Sequence, residues 1–296
     1  MRSVARRAAR TVQAAAHGRA ALRFSSTGPT SSTTHFGFRE VPEDDKKAMV
    51  GGVFHSVADR YDLMNDFMSG TLHRLWKDEF VSMLGPVESP DPSDPVRYLD
   101  MAGGTGDISF RIAEALRSRS GKPVAAEIVV SDINPSMLGV GEQRARSKGL
   151  LDGRGLPAMS FVEADAEALP FESDTFDSYT IAFGIRNVTH VDRALAEAFR
   201  VLRPGGRFMC LEFSRVRNPV LAAAYDAYSF NVIPAVGQAV TGDRDSYQYL
   251  VESIRQFPNQ EAFKGMIEDA GFVSARSRDM TFGVVAIHSG FKPMED

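Results

Sequence analysis

Cysteine is nearly absent from this chain of 296 residues, which contains only Cys210. A single cysteine excludes an intramolecular disulfide framework and any metal site built on clustered cysteines. Long apolar runs are also missing, since no stretch approaches the roughly 18 residues that a membrane-spanning helix needs. Hydrophobic residues make up 43% of the chain and charged residues 24%, which is typical of globular domains.

An excess of positive charge is missing as well. Lysine and arginine number 34 against 38 acidic residues, so the formal net charge is −4. This balance excludes a general polyanion-binding protein and gives no reason to expect a nucleic-acid partner. The length allows one large domain or two modest ones, with ample material for a core.

Acidic residues are absent from the first 39 positions, and Glu40 is the first of them. Average composition would place about one acid in every eight or nine residues there. The same segment has no lysine, is rich in alanine, and contains several arginines. They are Arg2, Arg6, Arg7, Arg10, Arg19, Arg23 and Arg39. This pattern is typical of a mitochondrial transit peptide, although a disordered basic tail is an alternative.

Three regions follow from this pattern. Residues 1–24 are predicted to be the transit peptide, with processing after Phe24. Residues 25–47 are predicted to be a linker, because residues 25–34 are mostly serine, threonine, glycine and proline. Residues 48–292 are predicted to form the folded domain.

The folded domain is predicted to begin with helices over residues 48–84, which show apolar residues at helical spacing. A proline-rich loop follows over 85–95. Strands and helices then alternate. Strands are predicted at 97–101, 126–132, 159–164, 177–184 and 207–214, and helices at 107–117, 135–148 and 191–201. Repeated βα units predict a parallel sheet that is covered on both faces.

An aromatic, helical segment over residues 218–258 interrupts this alternation. Its length exceeds a normal connection, which indicates a lid or a binding segment. A last helix is predicted at 260–270. Two closing strands are predicted at 272–280 and 283–289.

The strongest motif is Asp100-Met-Ala-Gly-Gly-Thr-Gly106, between the first predicted strand and a helix. Gly104 and Gly106 permit a tight turn and a close approach of the backbone to a ligand. The dinucleotide fingerprint G-x-G-x-x-G/A would require glycine or alanine where Ser109 stands, and Asp107 would oppose a pyrophosphate. S-adenosylmethionine carries a sulfonium and an ammonium, which suit neighbouring acids. The motif resembles the first motif of class I methyltransferases.

Two more acids end later strands of the predicted sheet. Asp132 follows the second strand and can accept hydrogen bonds from both ribose hydroxyls of a nucleoside, although an N-cap of the next helix is an alternative that Asn134 could also supply. Asp165 and Ala166 follow the third strand, where a carboxylate can accept from the exocyclic amine of adenine. A solvated turn acid is the alternative there.

Longer segments resemble the ubiquinone/menaquinone-biosynthesis C-methyltransferase family over about residues 54–292. They are Val57-Ala-Asp-Arg-Tyr-Asp-Leu-Met-Asn65, Leu99-Asp-Met-Ala-Gly-Gly-Thr-Gly-Asp107, Asp165-Ala-Glu-Ala-Leu-Pro-Phe171, Phe183-Gly-Ile-Arg-Asn-Val188, Tyr225-Asp-Ala-Tyr-Ser-Phe230 and Asp245-Ser-Tyr-Gln-Tyr-Leu-Val-Glu-Ser-Ile-Arg255. The resemblance implies a class I, Rossmann-like α/β fold with a seven-stranded, mostly parallel sheet, N-terminal helices and a helical insertion as lid. It implies S-adenosylmethionine-dependent C-methylation of a polyprenyl benzoquinol ring in ubiquinone biosynthesis, without a metal.

The resemblance also implies a set of cofactor contacts, namely Thr105, Asp132, Asp165 and Ala166. With the motif residues Asp100, Gly104 and Gly106 they form the predicted cofactor site. Ala182 departs from some bacterial members of the family, which have a serine contact at that position.

Arg186 and Asn187 follow the fourth predicted strand, at the edge where open α/β sheets bind their ligands. Methylation of a quinol carbon is assisted by the phenolate, and a phenol has a pKa of about 10 by analogy with tyrosine. Arg186 is predicted to offer positive charge to that oxygen and Asn187 an amide donor. Because the pKa of arginine exceeds about 12, Arg186 is expected to act electrostatically or by orienting a water. A surface arginine that pairs with an acid is the alternative.

A direct base is a further possibility, and four side chains are candidates. They are Tyr61, His73, His190 and Asp226. His190 is more typical of a helix start before Val191, and His73 of an amphipathic helix face. Tyr61 lies in the family motif and is expected to line the mouth of the cofactor site. Tyr225 and Tyr228 are predicted to line the quinol pocket, although aromatic residues at this spacing also simply pack.

The resemblance further implies a set of partners and a location. The partners are the polyprenyl benzoquinol, other proteins of a coenzyme Q biosynthetic complex and a homodimer mate, and the location is the matrix face of the mitochondrial inner membrane as a peripheral protein. A menaquinone precursor as substrate and O-methylation are alternatives. A nicotinamide-dependent oxidoreductase and a non-catalytic assembly protein are weaker ones, because the first needs a different glycine register and the second predicts a broken cofactor turn.

Overall fold

The order of strands and helices matches the predicted alternation from residue 96 onward. The computed structural model describes residues 32–57, 65–66, 69–118, 120–153 and 155–294, so the predicted transit peptide and Tyr61 lie outside the described residues. The strands are β1 (Thr33–Phe36), β2 (Arg39–Pro42), β3 (Val96–Met101), β4 (Ala126–Asp132), β5 (Ala158–Glu163), β6 (Phe176–Ala182), β7 (Leu202–Phe213), β8 (Val273–Met280) and β9 (Val285–Phe291). The helices are α1 (Glu43–Val57), α2 (His73–Leu84), α3 (Asp107–Leu116), α4 (Pro135–Ser147), α5 (Val191–Val201), α6 (Pro219–Asn231), α7 (Ile233–Thr241), α8 (Arg244–Gln256) and α9 (Gln260–Asp269).

Seven of these strands form one sheet in the order β5-β4-β3-β6-β7-β9-β8. The strands from β5 to β7 pair in parallel, and β9 runs antiparallel between β7 and β8. The chain order reverses at β3 and β6, where open α/β sheets place their ligands beyond the carboxyl ends of the strands. The predicted seven-stranded, mostly parallel fold is confirmed.

Apolar side chains cover both faces of the sheet, as the βα repeats predicted. In β7, Met209 and Leu211 belong to one buried cluster, and Phe208 and Cys210 belong to the other. All four are fully buried. Successive residues of a strand point to opposite faces, so a central strand of this sheet must be apolar on both sides.

The predicted linker over residues 25–47 differs from the structure in its described part. Strands β1 and β2 pair antiparallel as a hairpin, and α1 begins at Glu43 with three acids in its first turn. Acids there interact favourably with the helix dipole. The hairpin packs on the domain, since the ring of Phe36 stacks on Tyr249 of α8 with 4.1 Å between centroids.

The predicted helical run over residues 48–84 is divided. Gly70 and Thr71 have φ values of +56° and +69°, which a right-handed helix cannot include. Helix α2 therefore starts only at His73. The predicted loop over residues 85–95 and the helical insertion are both present, and the insertion consists of α6, α7 and α8.

Candidate active site

The carboxyl ends of β3, β4, β5 and β6 surround a cleft that α1 covers from one side. Lys47, Val50 and Gly51 of α1 line it together with the turn that follows β3. The cleft encloses about 1120 Å³, part of which is open to solvent. Such a concave site at the switch point of the sheet is the expected place for a ligand in this architecture.

The glycine turn after β3 forms one wall of the cleft. Gly106 has a φ of +87°, and a Cβ atom there would lie 2.5 Å from the ring of Phe110. Both facts require glycine. Thr105 is buried and lines the cleft together with Gly104, as predicted for cofactor contacts.

Asp100 secures this turn from within the fold. Its Oδ2 accepts hydrogen bonds from the backbone nitrogen and the hydroxyl of Ser109, at 3.1 and 2.6 Å, and its Oδ1 accepts one from Thr180 at 3.0 Å. Burial raises the pKa of Asp100 to about 6. Asp100 borders the cleft, but its carboxylate holds α3 and β6 in place. Ser109, which breaks the dinucleotide pattern, donates two of these three hydrogen bonds.

Asp132 lies at the end of β4 and joins the turn from the other side. Its Oδ2 accepts from the Gly104 nitrogen at 3.0 Å and its Oδ1 from the Asn134 nitrogen at 2.9 Å. Burial raises its pKa to about 6. Asn134 is the N-cap of α4, so Asp132 is not needed for that task. Each of its oxygens has a further lone pair for a ribose hydroxyl.

Asp165 and Ala166 follow β5 and border the same cleft. Oδ1 of Asp165 accepts from the Glu167 nitrogen at 2.9 Å, and Oδ2 accepts from Nζ of Lys47 at 2.5 Å. This hydrogen bond raises the pKa of Lys47. Helix α1 is therefore tied to the loop that was predicted to contact adenine.

The acidic surroundings predicted for a sulfonium are more balanced than the sequence indicated. Asp107 pairs with Nζ of Lys77 at 2.7 Å and also with Arg111. Burial is the largest single influence on the pKa of Asp107 and raises it, but the charge and hydrogen bond of Lys77 together with the charge of Arg111 outweigh burial and lower the pKa. Asp107 therefore opposes a pyrophosphate less strongly than the sequence indicated, because a buried cation compensates its charge. Lys77 lines the cleft.

Arg186 lies on the 3-10 turn Ile185–Asn187 but faces inward. Its Nη1 donates to Oε1 of Glu212 at 2.8 Å and to the carbonyl of Phe183 at 2.6 Å. The side chains of Arg186 and Glu212 are 4% and 1% exposed, and Arg186 is not among the described residues that line the cleft. The expected free positive charge is thus bound in a buried ion pair.

Asn187 is placed as predicted, at the cleft. Its Oδ1 accepts a hydrogen bond from the hydroxyl of Tyr249 at 2.9 Å, and its backbone nitrogen donates to Gly184 at 3.1 Å. Neighbouring Phe183 has a φ of +57°, which is rare for a bulky residue. Its ring packs against Phe213 and Trp76, with centroids 5.0 and 6.4 Å away.

The candidate bases within the described residues are each held by a partner. Nε2 of His73 lies 2.8 Å from Asp66, and burial lowers the pKa of His73. Nδ1 of His190 lies 2.7 Å from Glu167. Asp226 pairs with an arginine of α8. None of the three lines the cleft described above.

Tyr225 and Tyr228 lie on α6, away from this cleft. The ring of Tyr225 faces the guanidinium of Arg255 at 5.4 Å, and Tyr228 is 39% exposed. Neither is among the described residues that line the cleft. The structure does not bring the predicted quinol contacts to the cofactor turn, and Tyr225 packs within the helical insertion instead.

Four residues of the site were missed from the sequence, namely Lys47, Lys77, Glu212 and Tyr249. Glu212 left a signal, because an acid within the apolar strand Arg207-Phe-Met-Cys-Leu-Glu-Phe213 requires a buried partner. Lys47 lay in a segment that was taken as linker. Lys77 and Tyr249 left no local signal.

Comparison with known proteins decides the family. The ubiE/COQ5 methyltransferase family matches residues 40–292. The chain belongs to this family. A Brucella abortus protein named ubiquinone/menaquinone biosynthesis C-methyltransferase UbiE is 56% identical over 257 residues, which cover 87% of this chain and 90% of the relative. A Danio rerio protein named 2-methoxy-6-polyprenyl-1,4-benzoquinol methylase, mitochondrial, is 53% identical, covering 88% and 84%.

Solved structures agree with the fold of this ubiE/COQ5 family member. A Haemonchus contortus phosphoethanolamine N-methyltransferase in complex with S-adenosylmethionine matches with a TM-score of 0.55 and 15% identity, covering 81% of this chain and 60% of that one. A Thermotoga maritima S-adenosylmethionine-dependent methyltransferase matches with a TM-score of 0.52 and 16% identity, covering 81% and 99%. The predicted family, methyltransferase class and methyl donor are confirmed.

Among the described residues, no group of three or more histidine, cysteine, aspartate or glutamate side chains could hold a metal ion. No helix within the same residues is both long and apolar enough to cross a membrane.

Proposed function

We propose that this methyltransferase transfers a methyl group to a ring carbon of 2-methoxy-6-polyprenyl-1,4-benzoquinol in ubiquinone biosynthesis. The substrate is the one in the name of the Danio rerio relative. The observation that carries the proposal is the amide of Asn187, which lines the same cleft as the glycine turn and Asp132. A nucleoside site and a hydrogen-bond donor thus border one cavity.

The residues that line the cleft are suited to binding S-adenosylmethionine. Asp132 has lone pairs for the ribose hydroxyls, and Asp165 with Ala166 borders the position proposed for adenine. When bound, the cofactor supplies a methyl group on a sulfonium sulfur. The residues of the chain hold the nucleoside and leave the space beside Phe183 and Asn187 for the acceptor ring.

The acceptor ring requires electron density on its carbon, which a phenolate oxygen supplies once the hydroxyl proton has gone to water. The ring carbon bonds to the methyl group as the sulfur–methyl bond breaks, and the hydrogen on that carbon then leaves to water as a proton, since part of the cleft is open to solvent. The amide hydrogens of Asn187 are proposed to stabilise that oxygen, as preorganised donors do for developing negative charge. Phe183 offers an apolar wall that Trp76 and Phe213 support from behind. Arg186 fixes the turn that carries Asn187, through its bonds to Glu212 and to the Phe183 carbonyl.

Turnover with defined substrates tests this proposal. The purified protein should transfer labelled methyl from S-adenosylmethionine to the reduced benzoquinol and should lose about a hundredfold in kcat when Asn187 is replaced by alanine. A demethylnaphthoquinol in place of the benzoquinol tests the menaquinone alternative. Transfer to the naphthoquinol alone would contradict the proposed substrate.

We also propose import into mitochondria and peripheral contact with the matrix face of the inner membrane. The mitochondrial name of the Danio rerio relative and the arginine-rich, acid-free residues 1–39 support import. Helix α6 supports membrane contact, because Val220 and Leu221 are 76% and 42% exposed and residues 218–241 contain Asp226 as their one charged residue. An exposed apolar face of this kind favours an interface.

Vesicle flotation tests the membrane contact. Replacing Val220 and Leu221 together by aspartate should reduce flotation, whereas Val87→Asp, at an equally exposed position of the 85–95 loop, should not. Sedimentation of the same variants separates lipid contact from protein contact. Loss of a homodimer or of a complex with other coenzyme Q proteins, with flotation unchanged, would assign the face to protein partners instead.

A further inference from the structure

The hydroxyl of Tyr249 on α8 contacts the amide on which the proposed chemistry depends. It donates a hydrogen bond to Oδ1 of Asn187, with 2.9 Å between the oxygens. Asn187 lines the cleft, whereas Tyr249 is 4% exposed and is not among the described residues that line it. A carboxamide whose oxygen is engaged in this way has its NH2 group left for another partner.

We propose that Tyr249 is a positioning residue for methyl transfer. It holds the Asn187 amide in the orientation in which Nδ2 can donate to the quinol oxygen. This inference rests on the proposed function, because it assigns a task to the amide during that reaction. Tyr249 itself is not proposed to touch substrate or cofactor.

The hydroxyl of Tyr249 stays protonated near neutral pH and can therefore act as a donor. Burial raises the pKa of Tyr249 well above its ordinary value, so the phenol keeps its proton. A protonated hydroxyl facing an amide oxygen donates, and its direction then fixes which end of the amide faces the cleft. The backbone of Asn187 is fixed independently by its hydrogen bond to Gly184 at 3.1 Å.

The position of Tyr249 is itself set by the N-terminal hairpin. The ring of Phe36 stacks on the ring of Tyr249, with 4.1 Å between centroids and 16° between planes. The hairpin tip is attached to the same helix, because the Phe38 nitrogen donates to Oε2 of Glu252 at 3.0 Å. A stacked, buried ring has few rotamers available, so the hydroxyl is held at a defined point.

A purely structural role for Tyr249 makes a different prediction. Loss of a buried hydroxyl would then lower stability and leave the pH dependence of turnover unchanged. A positioned donor lowers the pKa of the bound quinol, because it favours the phenolate. When that donor is misaligned, the rising limb of kcat against pH should move to higher pH.

The test compares Tyr249→Phe, Asn187→Ala and the double variant. Tyr249→Phe should lower kcat by about tenfold, since one misplaced donor loses part of its contribution. The dissociation constant of S-adenosylmethionine and the KM of the quinol should stay within about twofold, and the rising limb should move to higher pH. The double variant should be no slower than Asn187→Ala alone, because the two residues act as one unit.

Tyr98→Phe is the matched control. The hydroxyl of Tyr98 is also buried and bonds to Val87, accepting from its nitrogen at 2.8 Å and donating to its oxygen at 2.7 Å. Tyr98 does not line the cleft. This variant should lose stability and keep the kcat and the pH profile of the original protein.

A second measurement needs no substrate and separates this inference from the proposed function. The side-chain amide of Asn187 should give restrained ¹⁵N relaxation in the original protein and a mobile signal in Tyr249→Phe. If the Asn187 amide is restrained in the original protein and mobile in Tyr249→Phe, but the original protein does not methylate the quinol, only the proposed function is overturned. An equally restrained amide in both proteins, an unchanged pH profile or additive losses of kcat would overturn the positioning role.

Discussion

Several charged residues of the site form ion pairs with other residues of the fold. Arg186 with Glu212 and Asp107 with Lys77 are ion pairs in which at least one partner is almost fully buried. Removing charges from water is costly, and a partner offsets that cost only while both are present. These residues therefore affect stability and turnover together, and the experiments must separate the two.

Replacing Arg186 by alanine should first be seen in stability. The variant leaves Glu212 buried without its cation, and burial already raises the pKa of that carboxyl. The free energy of unfolding should fall by about 3–5 kcal/mol, measured by urea denaturation. Removing both charges in Arg186→Met with Glu212→Leu should recover most of this loss.

The double variant also tests what Arg186 does for turnover. If the pair fixes the turn that carries Asn187, the variant should bind S-adenosylmethionine normally and methylate slowly. Equal losses of cofactor binding and turnover would contradict a role confined to that turn. Unchanged stability of Arg186→Ala would contradict the ion pair itself.

Asp132 should make cofactor binding depend on pH. Burial raises its pKa to about 6, so in the unliganded protein the carboxyl takes up a proton as the pH falls through 6. The protonated form accepts ribose hydroxyls less well, and affinity for S-adenosylmethionine should fall by up to about tenfold per pH unit below 6. Calorimetry from pH 5 to 8 measures this, and affinity should be constant from 7 to 8.

The pH dependence of stability due to Asp132 is opposite to that of a carboxylate whose pKa is lowered on folding. Because folding raises the pKa of Asp132, its contribution to the free energy of unfolding is complete below the ordinary value of 3.8 and is lost as the pH rises through about 6. Asp132→Asn should abolish its share of the pH dependence of binding. Asp100 also has a pKa of about 6, so Asp100→Asn is the control and should keep the dependence due to Asp132.

At the scale of elements, local pattern predicted most of the α/β domain. Helix starts at Asp107, Pro135 and Val191 were predicted to the residue, because a turn or cap and an apolar period coincide there. The hairpin of β1 and β2 was missed. Its strands have four residues each, and what holds them is the contact of Phe36 with a helix more than 200 positions away.

The residues of the candidate site also fall into two groups, those that local sequence predicts and those that depend on distant contacts. The positions of Gly104 and Thr105 at the cleft were predictable, because both belong to a motif that is continuous in sequence. The position of Asp132 was predictable because it ends a predicted strand. The pairs Arg186 with Glu212 and Asn187 with Tyr249 join residues 26 and 62 positions apart. No periodicity or spacing encodes such pairs, since they meet only through the tertiary fold.

Helix α4 and the cofactor turn approach each other at Gly141. A Cβ atom there would lie 2.8 Å from the Gly104 carbonyl oxygen and 3.2 Å from the Thr105 carbonyl carbon. Both neighbours are backbone, so Gly141→Ala should push the turn away and weaken S-adenosylmethionine binding by about tenfold or more, with a loss of about 1–3 kcal/mol in stability. Calorimetry and thermal unfolding measure the two effects.

Gly139 provides the control on the same helix, because a Cβ atom there would meet nothing within 4 Å. Gly139→Ala should leave cofactor binding unchanged and stabilise the protein by about 0.5–1 kcal/mol. If Gly141→Ala behaved like Gly139→Ala, the close contact between α4 and the turn would be refuted.

For the whole molecule, we expect the seven-stranded sheet to unfold as one cooperative unit, with Cys210 buried in its strand β7. Cys210 is fully buried in β7, and burial raises the pKa of its thiol well above the ordinary value. A thiol reagent should therefore react only after global unfolding. Labelling in increasing urea should follow the unfolding curve, and S-adenosylmethionine should slow it. Rapid labelling of the native protein would show that the sheet opens locally.

The charge pattern of the chain changes at residue 40. Residues 1–39 contain no acid, and all the acidic residues lie from Glu40 onward, where the family match over residues 40–292 also begins. The proposed import concerns the segment over residues 1–39, whereas the proposed methyl transfer concerns the cleft at the carboxyl ends of β3, β4, β5 and β6.

We propose that one cleft holds a methyl donor beside an oxygen-stabilising amide, so that a ring carbon is methylated. S-adenosylmethionine with a ¹³C-labelled methyl group, given with the reduced benzoquinol, allows nuclear magnetic resonance of the product to locate that group. We expect the label on an aromatic carbon, formed about a hundredfold more slowly by Asn187→Ala. A label found on oxygen as a methoxy group would contradict it.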